Sequence, residues 1–309
     1  MKNILQSFAL VFLCVAMSAN ICAQKKNVSA SKKSTPAAAV KTFPQRDSAF
    51  KADYRLLPIG QFDPNDVQNI EYFVMPTPDF TGHLLERNNA RKQVKLTQFS
   101  CKQNQIIDDE DWVERNNLVL REKRVETPMN LFAPRFQYRT GGYLVTTYGM
   151  NWGSTLKVVV TDEEQKTLYA AYDFENYKFS PKTTLMGNDQ SVNDFVIEGN
   201  ILYVAHGTNG YSDGAGYQTG YITAFDMETN EIVWTTQPLT CNSHFAIVDN
   251  SIICGYGFTS EPDNLFVLDK YSGQRVQKIP MKKMVNEVVR KGGMLYVRTY
   301  SFDYVFNIK

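Results

Sequence analysis

FVIEGNILYVAHG (residues 195–207) and FAIVDNSIICGYG (residues 245–257) are two copies of one pattern. Laid over each other, they put Phe195 on Phe245, Asn200 on Asn250 and Gly207 on Gly257, a constant offset of 50 residues. Apolar residues flank Gly199-Asn200 and Asp249-Asn250, dipeptides that accept the positive φ of a two-residue hairpin turn. Each copy therefore predicts strand, tight turn, strand. A second hairpin follows each one: YITAFDMETNEIVW (221–234) and LFVLDKYSGQRVQ (265–277) align Asp226 with Asp269, Thr229 with Ser272 and Asn230 with Gly273. In such corners Asp and Thr or Ser side chains accept backbone amides while Asn or Gly takes the left-handed position. Two hairpins in succession make a four-stranded unit of about 40–50 residues, the period of propeller blades.

Fainter copies flank this pair. Upstream lie FQYRTGGYLVTTYG (136–149) and LKVVVTDEEQKTLY (156–169), and downstream VVRKGGMLYVRTY (288–300) and YVFNI (304–308), where the chain stops one strand short of a unit. A β-sandwich or an open stack of hairpins would also show short strands, but fixed turn chemistry at a fixed offset favours radial repeats. The expected fold class is all-β, a propeller of about six four-stranded blades, with five to seven in range. Four blades occupy 135–309, the poorly patterned 46–134 has room for two more, and an N-terminal strand is expected to complete the last.

The N-terminus reads as a secretory signal peptide: Lys2, an apolar run from Phe8 to Met17, then Ser18, Ala19 and Ala23 before the cut. The cut is placed after Ala23 (residues 1–23), with Ala19 as the alternative. The run is shorter than the about 20 apolar residues of a membrane span. Bulky Ile21 ahead of Cys22 argues against a lipoprotein, so the protein is expected to be secreted, periplasmic or extracellular. Residues 24–45, rich in Lys, Ser, Ala, Thr and Pro, read as a disordered linker. Charge is balanced, 33 basic against 32 acidic residues, which does not advertise nucleic acid or an anionic membrane surface. Beyond the signal peptide remain Cys101, Cys241 and Cys254. If Asp249-Asn250 turns the hairpin, Cys254 faces Phe245, which argues against a Cys241–Cys254 bridge and leaves Cys101–Cys241 open.

Ala224, Asp226, Thr229, Asn230 and Trp234 resemble the PQQ-like propeller repeat A-x-D-x-x-T-G-x-x-x-W, with Asn230 at the usual glycine. The second copy keeps Asp269, Ser272 and Gly273 but has Gln277 at the tryptophan position. The resemblance covers residues 190–309 well and the rest poorly, and so suggests a degenerate member of this quinoprotein alcohol dehydrogenase-like family. It implies a propeller over 46–309 with Trp234 docked between neighbouring blades. The quinoprotein dehydrogenases of that superfamily have eight blades, an axial quinone and Ca²⁺, and a disulfide between adjacent cysteines. This chain has neither that length nor a Cys-Cys pair, so no cofactor is expected.

Fold alone does not give function. His83, His206 and His244 stand at no metal-ligand spacing, and no nucleophile elbow or phosphate-cradling glycine loop occurs. The run Asp108-Asp109-Glu110-Asp111 lacks the spacing of a calcium loop and reads as a solvated loop. Residues 207–220, rich in Gly and Tyr, read as a long hairpin loop. Tyr148, His206 and Tyr256, with Tyr300 nearby, end the second strands and read as blade-edge packing rather than a stacking surface. One constellation suggests a site. The residues just ahead of the innermost strands, Arg135, Asp194, His244 and Asn286, are expected to converge at one mouth of the axial channel. The alternative is that they satisfy exposed strand ends. The functional expectation is a non-enzymatic scaffold of the cell envelope binding an envelope protein or a small ligand, the alternative a hydrolase or lyase using that mouth.

Overall fold

The computed structural model describes residues 40–78, 81–104, 109–121, 123–124, 133–149, 156–175, 190–208 and 210–309. The signal-peptide reading and most of the linker reading lie outside them. Thr42–Phe43 already pairs with Leu84–Leu85, within the last residues of the stretch read as linker.

After strand β1 (Leu96–Gln103) and helix α1 (Asp109–Asn116) come four antiparallel up-and-down sheets in chain order. The first holds β2 (Ala133–Thr140), β3 (Tyr143–Gly149), β4 (Lys157–Thr161) and β5 (Thr167–Asp173). The second holds β6 (Gln190–Glu198), β7 (Ile201–Thr208), β8 (Tyr221–Asp226) and β9 (Glu231–Thr235). The third holds β10 (Ala246–Val248), β11 (Ser251–Phe258), β12 (Glu261–Asp269) and β13 (Arg275–Pro280). The fourth has only β14 (Val285–Lys291), β15 (Met294–Thr299) and β16 (Phe302–Ile308) from its own stretch of chain. The missing strand is β1, paired antiparallel along β16 from Leu96 opposite Ile308 to Gln103 opposite Phe302.

The sheets stack because their middle strands are apolar on both faces. Leu202 and Val204 of β7 pack towards the first sheet with Val158, Val160 and Tyr172. The alternate residues Ile201, Tyr203 and Ala205 pack towards the third with Ile252, Cys254 and Leu268. Ile253 then faces the fourth sheet with Val288, Val297 and Phe306. No sheet could hide both faces alone.

The described residues make four such sheets, where the sequence reading expects about six. The stretch read as two further blades does another job. Phe62 and Val67, with Ile70 and Tyr72, cover the outer face of the first sheet over Val159, Leu168 and Ala171. Trp112 on α1, fully buried, lies beside Arg298 of the fourth. Other parts of the segment thread between turns: Asn200 Nδ2 donates to Ala49 O, and Leu85 N to Ser272 O.

The corner motif folds as its chemistry demands. Asp226 Oδ1 accepts from Glu228 N at 3.0 Å, and Asp269 Oδ1 from Tyr271 N at 2.8 Å and Ser272 N at 3.2 Å. Asn230 and Gly273 take the left-handed position at φ 55° and 73°, while Thr229 stands exposed in its turn. Trp234, opposite Ala224, is fully buried against the Gly273 corner of the next sheet.

Two local readings change. The acidic run enters α1, with Glu110 and Asp111 in its first turns, where carboxylates meet the positive end of the helix rather than a solvated loop; Asp108 lies outside the described residues. Cys241 and Cys254 are not held apart, because the 236–243 connection folds back under β11. Both thiols are free and fully buried, and burial together with the neighbouring Cys241 thiol pushes Cys254 well above the ordinary thiol range. Cys101 is free and half-buried.

Candidate functional site

The first hairpin of the first, second and fourth sheets carries a β-bulge at one place. Register shifts between Pro134 and Phe136, between Val192 and Asp194, and between Val285 and Glu287. The extra residues are Arg135, Asn193 and Asn286. In the third sheet Ser243 takes that place and closes it with its side chain, accepting from Gly255 N at 3.1 Å. Bulges re-aim side chains and recur beside functional sites.

This register splits the four sequence candidates into two tiers. Asp194 and His244 belong to the position after the bulge, whose other members are Phe136 and Glu287. Arg135 and Asn286 sit one residue earlier, with Asn193 and Ser243. The sequence alignment is one residue out in the two flanking units, whose fainter copies of the hairpin do not fix the register. The structure brings Asp194, His244 and Asn286 together, since His244 Nδ1 lies 3.6 Å from Asp194 Oδ2 and His244 N donates to Asn286 O at 3.4 Å. Arg135 keeps apart from them, its Nε buried without an acceptor among the described residues.

Asp194 is wholly buried and spends its carboxylate on three sheets. Oδ1 accepts from Phe195 N at 2.8 Å and from the Tyr138 hydroxyl; Oδ2 accepts from Phe245 N at 2.9 Å and Arg121 Nη2 at 2.6 Å. Arg121 comes from the segment after α1, and also donates to Phe245 O at 2.7 Å and Phe195 O at 3.3 Å. Burial alone would push the Asp194 carboxyl up, but the Arg121 charge, then His244 and the Tyr138 hydroxyl, hold it below the ordinary carboxylate range. Burial and the same carboxylate push the Tyr138 phenol up.

His244 is the hinge of the arrangement. Its Nε2 lies 3.5 Å from Glu287 Oε1, so the imidazole bridges two carboxylates of neighbouring sheets. His244 and Glu287 together line two cavities. The inner one, about 280 Å³, is lined by Val119, Arg121, Tyr138, Ala246 and Val288 as well. The outer one, about 390 Å³, opens among Asn193, Asn242, Ser243 and Asn286. Among the described residues, the side chains of Asn193 and Asn286 make no hydrogen bond to the protein. The outer cavity is thus lined by carboxamides and a serine hydroxyl, with His244 and Glu287 as its titratable groups.

No family model and no curated protein sequence matches this chain. Among solved structures it is similar to a europium-containing methanol dehydrogenase, at 13% identity and a TM-score of 0.35 over 52% of this chain. It is also similar to BamB from Moraxella catarrhalis, at 11% identity and a TM-score of 0.27 over 55% of this chain and 71% of that one. The chain spans 27% of the length of the methanol dehydrogenase. At such TM-scores the fold rests on the sheets themselves.

Among the described residues no three His, Cys, Asp or Glu side chains group to hold a metal ion, and Arg121 donates to Phe195 O and Phe245 O between the inner strands. No helix of the described residues is long and apolar enough to cross a membrane.

The blade-edge residues Tyr148, His206 and Tyr256 are buried, whereas Tyr300 is exposed. His206 bonds Thr223 Oγ1 at 2.7 Å and stacks on Tyr221; burial lowers its pKa to about 3. The unfolded chain binds that proton below about pH 6.5 and the folded chain refuses it, so folding weakens as pH falls, by up to about 1.4 kcal/mol per pH unit. Urea midpoints of the wild type should drop between pH 7 and pH 4, and those of His206→Gln should drop less. Parallel curves for the two would remove His206 from the acid response.

Proposed function

We propose that this chain is a secreted, non-enzymatic, propeller-type scaffold of the cell envelope that holds a ligand at the bulge-lined mouth. One observation supports the reading: the Asp194 carboxylate at the axis is spent on the frame, while two carboxamides at the mouth, Asn193 and Asn286, hold nothing among the described residues. Asp194 is saturated by Arg121, Tyr138 and two backbone amides, so it cannot take a proton from a substrate without releasing the joint between sheets. Asn193 and Asn286 bind but do not exchange protons. The signal peptide read at the N-terminus supports the envelope setting, and no cofactor is assigned.

A hydrolase or lyase is the second reading, favoured by the His244 imidazole held between Asp194 and Glu287 at the wall of both cavities. Chromogenic ester, glycoside and lactone substrates separate the two. The purified chain is expected to turn over none of them above buffer. Turnover that His244→Gln abolishes would replace the scaffold by the enzyme.

A further inference from the structure

We infer that the mouth takes an oligosaccharide; this rests on the mouth being the ligand site, as proposed above. A side-chain carboxamide offers a donor and an acceptor side by side without charge, the complement of neighbouring sugar hydroxyls that each donate and accept. Two such amides, Asn193 and Asn286, line the same cavity of about 390 Å³ with no protein partner among the described residues.

Stacking faces stand at the same end of the sheets. Val192 pairs with His206 and Val285 with Thr299, so the loops that leave β7 and β15 emerge beside the bulges. They carry Tyr211, Tyr217 and Tyr300, all exposed. A pyranose ring presents an apolar face to such aromatics and a polar rim to amides. The loop after β7 is pinned to the third sheet. Ser212 N donates to Glu261 Oε1 and the Tyr256 hydroxyl to Glu261 Oε2, both at 2.7 Å. Tyr217 is held at φ 63°, a strained setting for an aromatic residue, by its N–H on Ser212 O at 2.6 Å.

An extended peptide would instead add to a strand edge. In the second and third sheets Arg121 already occupies Phe195 O and Phe245 O of those edges.

The test is calorimetric titration of the full chain with maltotriose, chitotriose and trigalacturonate at millimolar concentration, with trialanine as the peptide probe. At least one trisaccharide is expected to bind saturably, and Asn193→Ala with Asn286→Ala to weaken it about tenfold at unchanged Tm. Among the described residues these amides hold nothing else, so the double variant is expected to fold. Tyr217→Ala provides a second loss of binding through the stacking face. No binding of any trisaccharide, or binding indifferent to all three substitutions, overturns the inference. Trialanine binding that the double variant loses would sink the sugar class and leave the mouth standing as a ligand site, whereas turnover dependent on His244 would sink the scaffold itself.

Discussion

Asp194→Ala is expected to lower the unfolding free energy by about 3 kcal/mol, the lower end of what breaking a buried ion pair costs. The substitution strands Phe245 N and takes the acceptor from the Tyr138 hydroxyl and the anion from Arg121, leaving Phe195 N only the Tyr138 oxygen at 3.2 Å and Arg121 only two backbone carbonyls. Part of the Arg121 stem meets solvent, which moderates the cost, since its side chain is 38% exposed against 0% for Asp194. Arg121→Met should be the worse single change, because a carboxylate buried without its cation cannot reach water. The double variant should recover part of either loss, the signature of coupled neighbours. The acid limb follows from the sign of the shift. A carboxyl held below its ordinary value contributes stability above the unfolded-chain pKa of about 3.9 and loses it as pH falls below. Urea unfolding of Asp194→Asn should therefore show a flatter decline below that pH than the wild type. A stability for Asp194→Ala within experimental error of wild type would remove the joint between the first three sheets.

What could be read in advance was whatever the chain repeats. The turns at Gly199-Asn200 and Asp249-Asn250, the Asp226 and Asp269 corners and the strand borrowed from upstream are local chemistry recurring at a period, and all stand where the pattern put them. Residues 46–134 repeat nothing, because their pieces answer to different sheets. Gly60–Gln61 and Phe73–Val74 join β5, Thr42–Phe43 meets Leu84–Leu85, and β1 runs to the fourth sheet. Such a segment carries no blade pattern, and its length alone suggested blades. Arg121 was missed for the same reason: it belongs to no repeat and looks like any other basic residue. Glu287 and Phe136 were within reach. Counting five residues back from the first turn residue gives Asp194 from Gly199, His244 from Asp249, Glu287 from Gly292 and Phe136 from Gly141. Counting from the turn fixes the register in the flanking units, where the strand sequences are too faint to align.

Trp234→Ala should cost about 3–5 kcal/mol, the range for deleting a large buried aromatic side chain. The indole is fully buried, and its Nε1 finds no acceptor among the described residues, so packing alone holds it. It packs on Gly273, where a methyl group would stand 2.7 Å from Trp234 Cε3 at a φ of 73°. Gly273→Ala therefore meets two penalties, backbone strain and collision with the docked ring. Gly142 separates them, because at φ 84° it has open space around the same methyl. Gly142→Ala should cost only the left-handed penalty, about 1–2 kcal/mol. Gly273→Ala should cost clearly more in the wild type, and no more than Gly142→Ala once Trp234 is already Ala. That reversal is specific to a ring lodged in a neighbouring corner. Equal costs for Gly273→Ala with and without the indole would mean that Trp234 does not lock the second sheet to the third, and the copy with Gln277 at its tryptophan position would then lack nothing by comparison.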